Sequence, residues 1–216
     1  MAPQPDKTIF QCDFDGTVTH EDIGFPLLDA FADGDWRRLL ADYQQGRISV
    51  GNFNTSAFAM VKEDQPTLVK MVREIARPRA GLSELIEYCR GRGFRFVIVS
   101  NGLDFYIKTI LDDLGLSDIE VMAASTSFGN KGVDARYIGP AGSLLHKGFK
   151  EAYTRYFQEG GHRVIYAGNG PSDIPPASLA QHAFATGELL EHYRQEGIKC
   201  TPFTDLADIV KGLERL

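Results

Sequence analysis

The chain has 216 residues, 43% of them hydrophobic and 24% charged, which suits one sizeable soluble core or a core with a small insert. Its formal net charge of −6 excludes a general attraction to nucleic acid or to an anionic membrane surface, although a phosphate site needs only a local basic pocket. Cys12, Cys89 and Cys200 are scattered and odd in number, so neither a disulfide framework nor a zinc motif is expected. The N-terminal stretch has no apolar leader and no run approaches membrane-spanning length, so a reducing cytoplasm is the expected setting.

The first element, Thr8-Ile9-Phe10-Gln11-Cys12, reads as a buried strand that stops at Asp13-Phe14-Asp15 and is broken by Gly16 and Thr17. In an open parallel sheet, ligands bind beyond the carboxyl ends of the strands, which is where these residues fall. A carboxylate there, beside a glycine turn with free N–H groups, suits attack on phosphorus. Asp13 is the candidate nucleophile, and the turn through Phe14, Gly16 and Thr17 is a candidate cradle for phosphoryl oxygens. Asp15, two residues on, can face the leaving group as acid and then as base. Cys12 lies within the strand and reads as core.

From Thr19 to about Ala76 the pattern is helical. Phe25, Leu27, Leu28, Phe31 and Ala32 share one helical face, with Asp22 as the expected N-cap. Trp36, Leu39, Leu40 and Tyr43 mark a second helix, Ser49 opens a third, and Pro66 stands at the first helical position of a fourth. Four short helices without a strand form an insert over residues 19–78, between core segments 1–18 and 79–216. Its aromatic positions are read mainly as its own core.

After Pro78 and Gly81, a helix from Leu82 ends at Gly91 and Gly93. The strand Phe94–Val99 follows, running into Ser100-Asn101-Gly102, read as a second glycine turn. A serine hydroxyl and the Asn101 N–H at that edge can bind a phosphoryl oxygen. Helix Leu103–Leu114, a strand Ile119–Ala123 and a hairpin with a longer turn at Gly129-Asn130-Lys131-Gly132 come next. His146-Lys147-Gly148-Phe149-Lys150 opens another helix. The strand Arg163–Ala167 then runs into Gly168-Asn169-Gly170-Pro171-Ser172-Asp173, and two more strand–helix pairs close the chain. Alternating strands and helices argue for an α/β fold with a doubly wound parallel sheet.

Asp13-Phe14-Asp15-Gly16-Thr17-Val18-Thr19 resembles the first motif of the haloacid dehalogenase-like superfamily in its phosphatase form. Ser100, Lys150 and the Gly168–Asp173 segment are similar to the second, third and fourth motifs. The likeness is strongest to the phosphoserine phosphatase branch, which carries a small helical cap. It implies a phosphatase in which Asp13 forms an aspartyl-phosphate and Asp15 is the general acid and base. Ser100, Asn101 and Gly102 would bind phosphate.

The third motif is a Lys at a helix start. Lys150 fits it because Tyr153 and Phe157 follow in the usual apolar phase, with Lys147 as the alternative. The fourth motif departs from the family at Asn169, where an Asp is usual. The resemblance implies a magnesium ion held by the Asp13 carboxylate, the Asp15 main-chain carbonyl, Asn169 or Asp173, and waters.

The cap would choose a small phosphorylated substrate, with His20, Asp22 and Phe53 as candidate pocket residues. Asp22 falls where phosphoserine phosphatases place an acid for the amino group. Asn52-Phe53-Asn54-Thr55-Ser56 lacks the Arg that meets the substrate carboxylate, and Arg47 is the nearest substitute, so phosphoserine is not the expected substrate. Asn169 keeps open a metabolite-phosphate-binding regulatory module with a weakened metal site, and a phosphotransferase of the same fold, passing the group to an acceptor other than water, is a further alternative.

Overall fold

A computed structural model describes residues Lys7–Leu216. The first six residues, where no apolar leader was read, lie outside the described residues. Among the described residues no helix is long and apolar enough to cross a membrane. The chain divides into two compact units. Among the described residues one comprises 7–21, 77–99 and 150–216; the other comprises 22–76 and 100–149.

The first unit is built on five parallel strands in the order β2-β1-β5-β6-β7. These are β1 (Thr8–Cys12), β2 (Arg95–Leu103, of which 95–99 belong here), β5 (Arg163–Gly168), β6 (His182–Ala185) and β7 (Thr201–Pro202). Strand β1 is central and wholly buried, which is why it reads as a continuous apolar run. Side chains alternate across it. Phe10 stacks on Phe96 with centroids 5.7 Å apart and meets Phe184 at 6.2 Å. That face carries α10 (Leu206–Leu213), whose Gly212 has no room for a Cβ against the Phe184 ring, 2.4 Å away. Gln11 and Asp13 point the other way, toward α7 (Phe149–Glu159). Helices on both faces of a parallel sheet give the doubly wound arrangement expected. The helical insert leaves and returns through one short pairing, with His20 N–H on the Arg77 carbonyl and Arg79 N–H on the Val18 carbonyl.

The second unit contains α1 (Gly24–Phe31), α2 (Trp36–Gln44), α3 (Val50–Phe58) and α4 (Gln65–Ile75). It also contains α6 (Asp104–Asp113), β3 (Glu120–Gly129) and β4 (Gly132–Arg136). Asp35, Ser49 and Asp64 cap α2, α3 and α4, each accepting from the N–H three residues on. Pro66 sits one position later than expected, at the second residue of α4. Phe53 is surrounded by Phe25, Trp36 and Tyr43, with centroids 6.0 to 6.5 Å away.

Two local expectations are corrected. The β3–β4 turn is the two-residue Asn130-Lys131, since Gly129 and Gly132 pair directly. Ser100-Asn101-Gly102 is not a turn: β2 runs on through it to Leu103, and Gly102 does not adopt left-handed backbone. Asn-Gly is a turn dipeptide only where nothing else holds the backbone, and here side chains hold the Asn101 carbonyl.

Candidate active site

In the first unit, β1 ends by delivering Asp13 beside the start of α7. The Lys150 ammonium lies 2.6 Å from Asp13 Oδ1 and 2.6 Å from Asp173 Oδ1. All three side chains are at least 95% buried. One cation facing two anions leaves the trio one charge short of neutrality. Burial accordingly pushes the Asp13 carboxyl up from 3.8 to about 7, and Asp173 adds to the rise; Lys150 and the Phe14 N–H oppose it. Burial alone would push Lys150 down, but the two carboxylates outweigh it and the net shift is upward.

Asp173 is fully engaged. Its Oδ1 accepts from Lys150 and from Tyr166 Oη at 2.5 Å, and its Oδ2 accepts from the N–H groups of Asn169 and Gly170, both at 2.9 Å. Burial and the neighbouring carboxylates raise the Tyr166 phenol well above its ordinary value, so it stays a donor. Gly168 permits this closeness, because a Cβ there would stand 2.6 Å from the Asp173 carboxyl carbon. The loop after β5 is thus wrapped around Asp173, and that wrapping aims Asn169 back toward the β1 loop.

Asn169 meets that loop at Thr17. The Thr17 hydroxyl lies 3.3 Å from Asp13 Oδ2 and 3.2 Å from Asn169 Oδ1. It has one proton, so it satisfies only one of them at a time. The Phe14 carbonyl accepts from the N–H groups of Thr17, Val18 and Thr19, which curls the loop. Gly16 turns it at φ +75°, and a Cβ there would fall 2.1 Å from the Asn169 amide nitrogen. Two separate constraints therefore require glycine at this position.

Among the described residues no three His, Cys, Asp or Glu side chains form a metal cluster. The oxygens that fit magnesium are instead Asp13 Oδ2 and Asn169 Oδ1, converging on Thr17, with room in the chemistry for a main-chain carbonyl and waters. That all-oxygen, partly hydrated set suits the ion, and the uncompensated charge on Asp13 favours a cation. Direct coordination by Asp173 would cost one of the four contacts that it makes here.

The structure brings together Asp13, Gly16, Thr17, Lys150, Asn169 and Asp173. Asp15 lies in the same loop and is half-buried. Lys150 is the lysine of the trio, whereas Lys147 is exposed in the second unit. His20 is exposed in the first unit, with its Nδ1 3.2 Å from an Arg79 nitrogen. Asp22 accepts from the Phe25 N–H at 2.8 Å, and burial raises its carboxyl above the ordinary range. Phe53 is 2% exposed and packs among the aromatic rings of the second unit. Arg47 is engaged with Asp42, its Nε 2.8 Å from Oδ1.

Three supporting residues went unread in the sequence. Arg79 donates to the Gly16 carbonyl at 3.2 Å and to the Thr204 carbonyl at 2.7 Å. Tyr166 holds Asp173. Gln11 bonds Thr154 and the Lys150 carbonyl, tying β1 to the first turn of α7. The available signal was a polar residue inside an apolar run, present at Gln11 and Tyr166.

A family model described as haloacid dehalogenase-like hydrolase matches residues 10–178. The chain is 28% identical over 217 residues to a Geobacillus thermodenitrificans protein named 2-hydroxy-3-keto-5-methylthiopentenyl-1-phosphate phosphatase, covering 97% of each. A Brevibacillus brevis protein of the same name is 23% identical over 214 residues, covering 97% of this chain and 96% of its own. A phosphoserine phosphatase solved as a phospho-aspartyl intermediate analogue superposes with a TM-score of 0.69 at 18% identity, covering 95% of this chain and 98% of that one. The phosphoserine phosphatase from T. onnurineus gives 0.70 at 19% identity, covering 100% and 98%. The family model spans most of the chain, from β1 past the loop that follows β5, and the chain belongs to the haloacid dehalogenase-like hydrolase family.

Proposed function

We propose that this protein is a magnesium-dependent phosphatase that hydrolyses a small organic phosphate monoester through an aspartyl-phosphate on Asp13. The observation that carries this is the buried Asp13–Lys150–Asp173 trio at the end of β1. Asp13 is anchored through Oδ1 by Lys150, and its Oδ2 lies 3.3 Å from the Thr17 hydroxyl. An anchored carboxylate with a second oxygen turned toward a glycine loop is arranged for in-line attack. Lys150 neutralises charge as phosphate approaches Asp13. Asp15 protonates the departing alcohol, then takes a proton from the water that cleaves the aspartyl-phosphate. Magnesium, held by Asp13, Asn169 and the Asp15 carbonyl, would supply further neutralisation of phosphoryl charge.

Ser100 lies within β2 with its side chain buried, and its place in the second motif of the resemblance supports reading it as a phosphoryl-oxygen ligand. Residues 19–78 are proposed as the cap that selects substrate. The names of the relatives, which specify a hydroxy-keto-methylthiopentenyl phosphate, support an organic phosphate without an amino-acid head group. Arg47, the nearest substitute for the missing Arg, is paired with Asp42, which also counts against phosphoserine. The three cysteines are free thiols, which fits a reducing compartment.

A panel of phosphorylated metabolites, assayed for magnesium-dependent phosphate release, tests the reading. Release should be abolished in Asp13→Asn, inhibited by beryllium fluoride, and not led by phosphoserine. Asn169 favours the regulatory module as a second reading. Phosphate binding without release at any magnesium concentration would establish that module instead.

A further inference from the structure

Within the second unit, the Asn101 carbonyl receives two donors. Asn54 Nδ2, on α3, lies 2.7 Å from it, and the Tyr137 hydroxyl donates to the same oxygen. The second Asn54 proton is accounted for as well, because Nδ2 is 2.9 Å from Tyr137 Oη. Asn54, Tyr137 and the Asn101 carbonyl thus form one hydrogen-bonded network.

A peptide is planar, so the Asn101 carbonyl and the Gly102 N–H are two ends of one rigid unit. Holding the carbonyl therefore aims the N–H. That N–H points at Ser100 Oγ from 2.9 Å, and Ser100 is 1% exposed. With its oxygen used as an acceptor, Ser100 has its own proton left to donate, and no acceptor among the described residues takes it. A buried hydroxyl with an unspent proton is costly unless a ligand uses it.

We propose that Asn54 and Tyr137 are positioning residues for Ser100. By clamping the Asn101–Gly102 peptide, they keep the serine hydroxyl oriented as a donor to a phosphoryl oxygen. The inference rests on the reading of Ser100 as a phosphate ligand. It also explains why Ser100-Asn101-Gly102 continues as strand: a turn there would swing the Asn101 carbonyl off both donors. The clamp comes in part from α3, so the insert proposed to select substrate would also set the phosphate-binding group.

The test uses para-nitrophenyl phosphate turnover at saturating magnesium, inhibition by inorganic phosphate, and thermal melting. The proteins are wild type, Asn54→Ala, Tyr137→Phe, Ser100→Ala, the two doubles with Ser100→Ala, and Asp13→Asn. Tyr137→Phe keeps the ring that packs on Phe149 at 5.1 Å, so at least one clamp variant should fold normally.

Ser100→Ala should lower kcat/KM by roughly a hundred-fold and each clamp variant by roughly ten-fold, since a misdirected donor costs less than a missing one. Inhibition by phosphate should weaken in parallel. In the Ser100→Ala background the clamp substitutions should cost nothing more. Equal losses in both backgrounds, or clamp variants with wild-type kinetics, would overturn the clamp and leave the phosphatase reading intact. If Ser100→Ala is harmless while Asp13→Asn is inactive, the clamp and the serine assignment both fall and the Asp13 chemistry stands. If wild type releases no phosphate, and Ser100→Ala and the clamp variants bind inorganic phosphate as wild type does, both readings fall.

Discussion

Lys150 Nζ and Asp13 Oδ1 are 2.6 Å apart with both side chains buried, and the same ammonium also meets Asp173. A buried ion pair contributes little net stability compared with an apolar substitute, but breaking one by removing a single partner is strongly destabilising. The pair is therefore better understood as a means of placing the carboxylate than as a source of stability.

Lys150→Met should lose activity and destabilise the fold by about 3–5 kcal/mol at pH 8, because two buried carboxylates are left without a cation. Near pH 5 the loss should shrink, since Asp13, with its carboxyl near 7, is already largely neutral there. Urea unfolding at the two pH values is the measurement. A loss that is the same at both would contradict the charge argument.

The raised Asp13 carboxyl sets a pH window. Its folded value of about 7 lies above its unfolded value near 3.8, so the metal-free folded state holds the extra proton between them. Stability of the metal-free protein should thus fall as pH rises through that window, and Asp13→Asn should remove that part of the slope. Magnesium competes with the same proton. Below pH 7 the half-saturating magnesium concentration should rise by about ten-fold per pH unit, read from titrations of phosphate release.

Asn169 offers an amide oxygen where the family usually has a carboxylate. The loss of one charged contact, roughly 1–3 kcal/mol, corresponds to about a ten- to hundred-fold higher magnesium requirement. Asn169→Asp should lower that requirement. Asp173→Ala should abolish turnover whatever the magnesium concentration, because it unties Lys150, Tyr166 and the Asn169 loop together. An Asn169→Asp protein with unchanged magnesium dependence would remove Asn169 from the metal.

Gly16→Ala tests the loop. A left-handed non-glycine residue costs roughly 1–2 kcal/mol, and the added Cβ collides with the Asn169 amide, 2.1 Å away. Turnover should fall more than melting temperature, because the substitution displaces Asn169 from Thr17. Unchanged kinetics would show that the loop has more freedom than this geometry allows.

What the sequence by itself determined was local. Strand β1 is buried on both faces and so is a mainly apolar run; a helix start is marked by Ser49; the carboxylates and glycines at strand ends announce an edge where phosphate chemistry can occur. Such signals lie within a few residues of one another, and their physics is that of the backbone.

The tertiary structure decided everything that depends on partners far apart in the chain. Lys150 and Lys147 are equivalent helix-start lysines until one is seen between Asp13, 137 residues earlier, and Asp173, 23 residues later. Asp173 reads as a metal ligand from its motif, yet four donors occupy its oxygens. The aromatic positions of the insert read mainly as its own core, and which rings meet Phe53, namely Phe25, Trp36 and Tyr43, is set by helices distant in the chain. Asn-Gly reads as a turn, and two side chains from distant segments keep it extended. A residue's type limits which bonds it can make, but which bond it does make depends on groups that only folding brings within 3 Å.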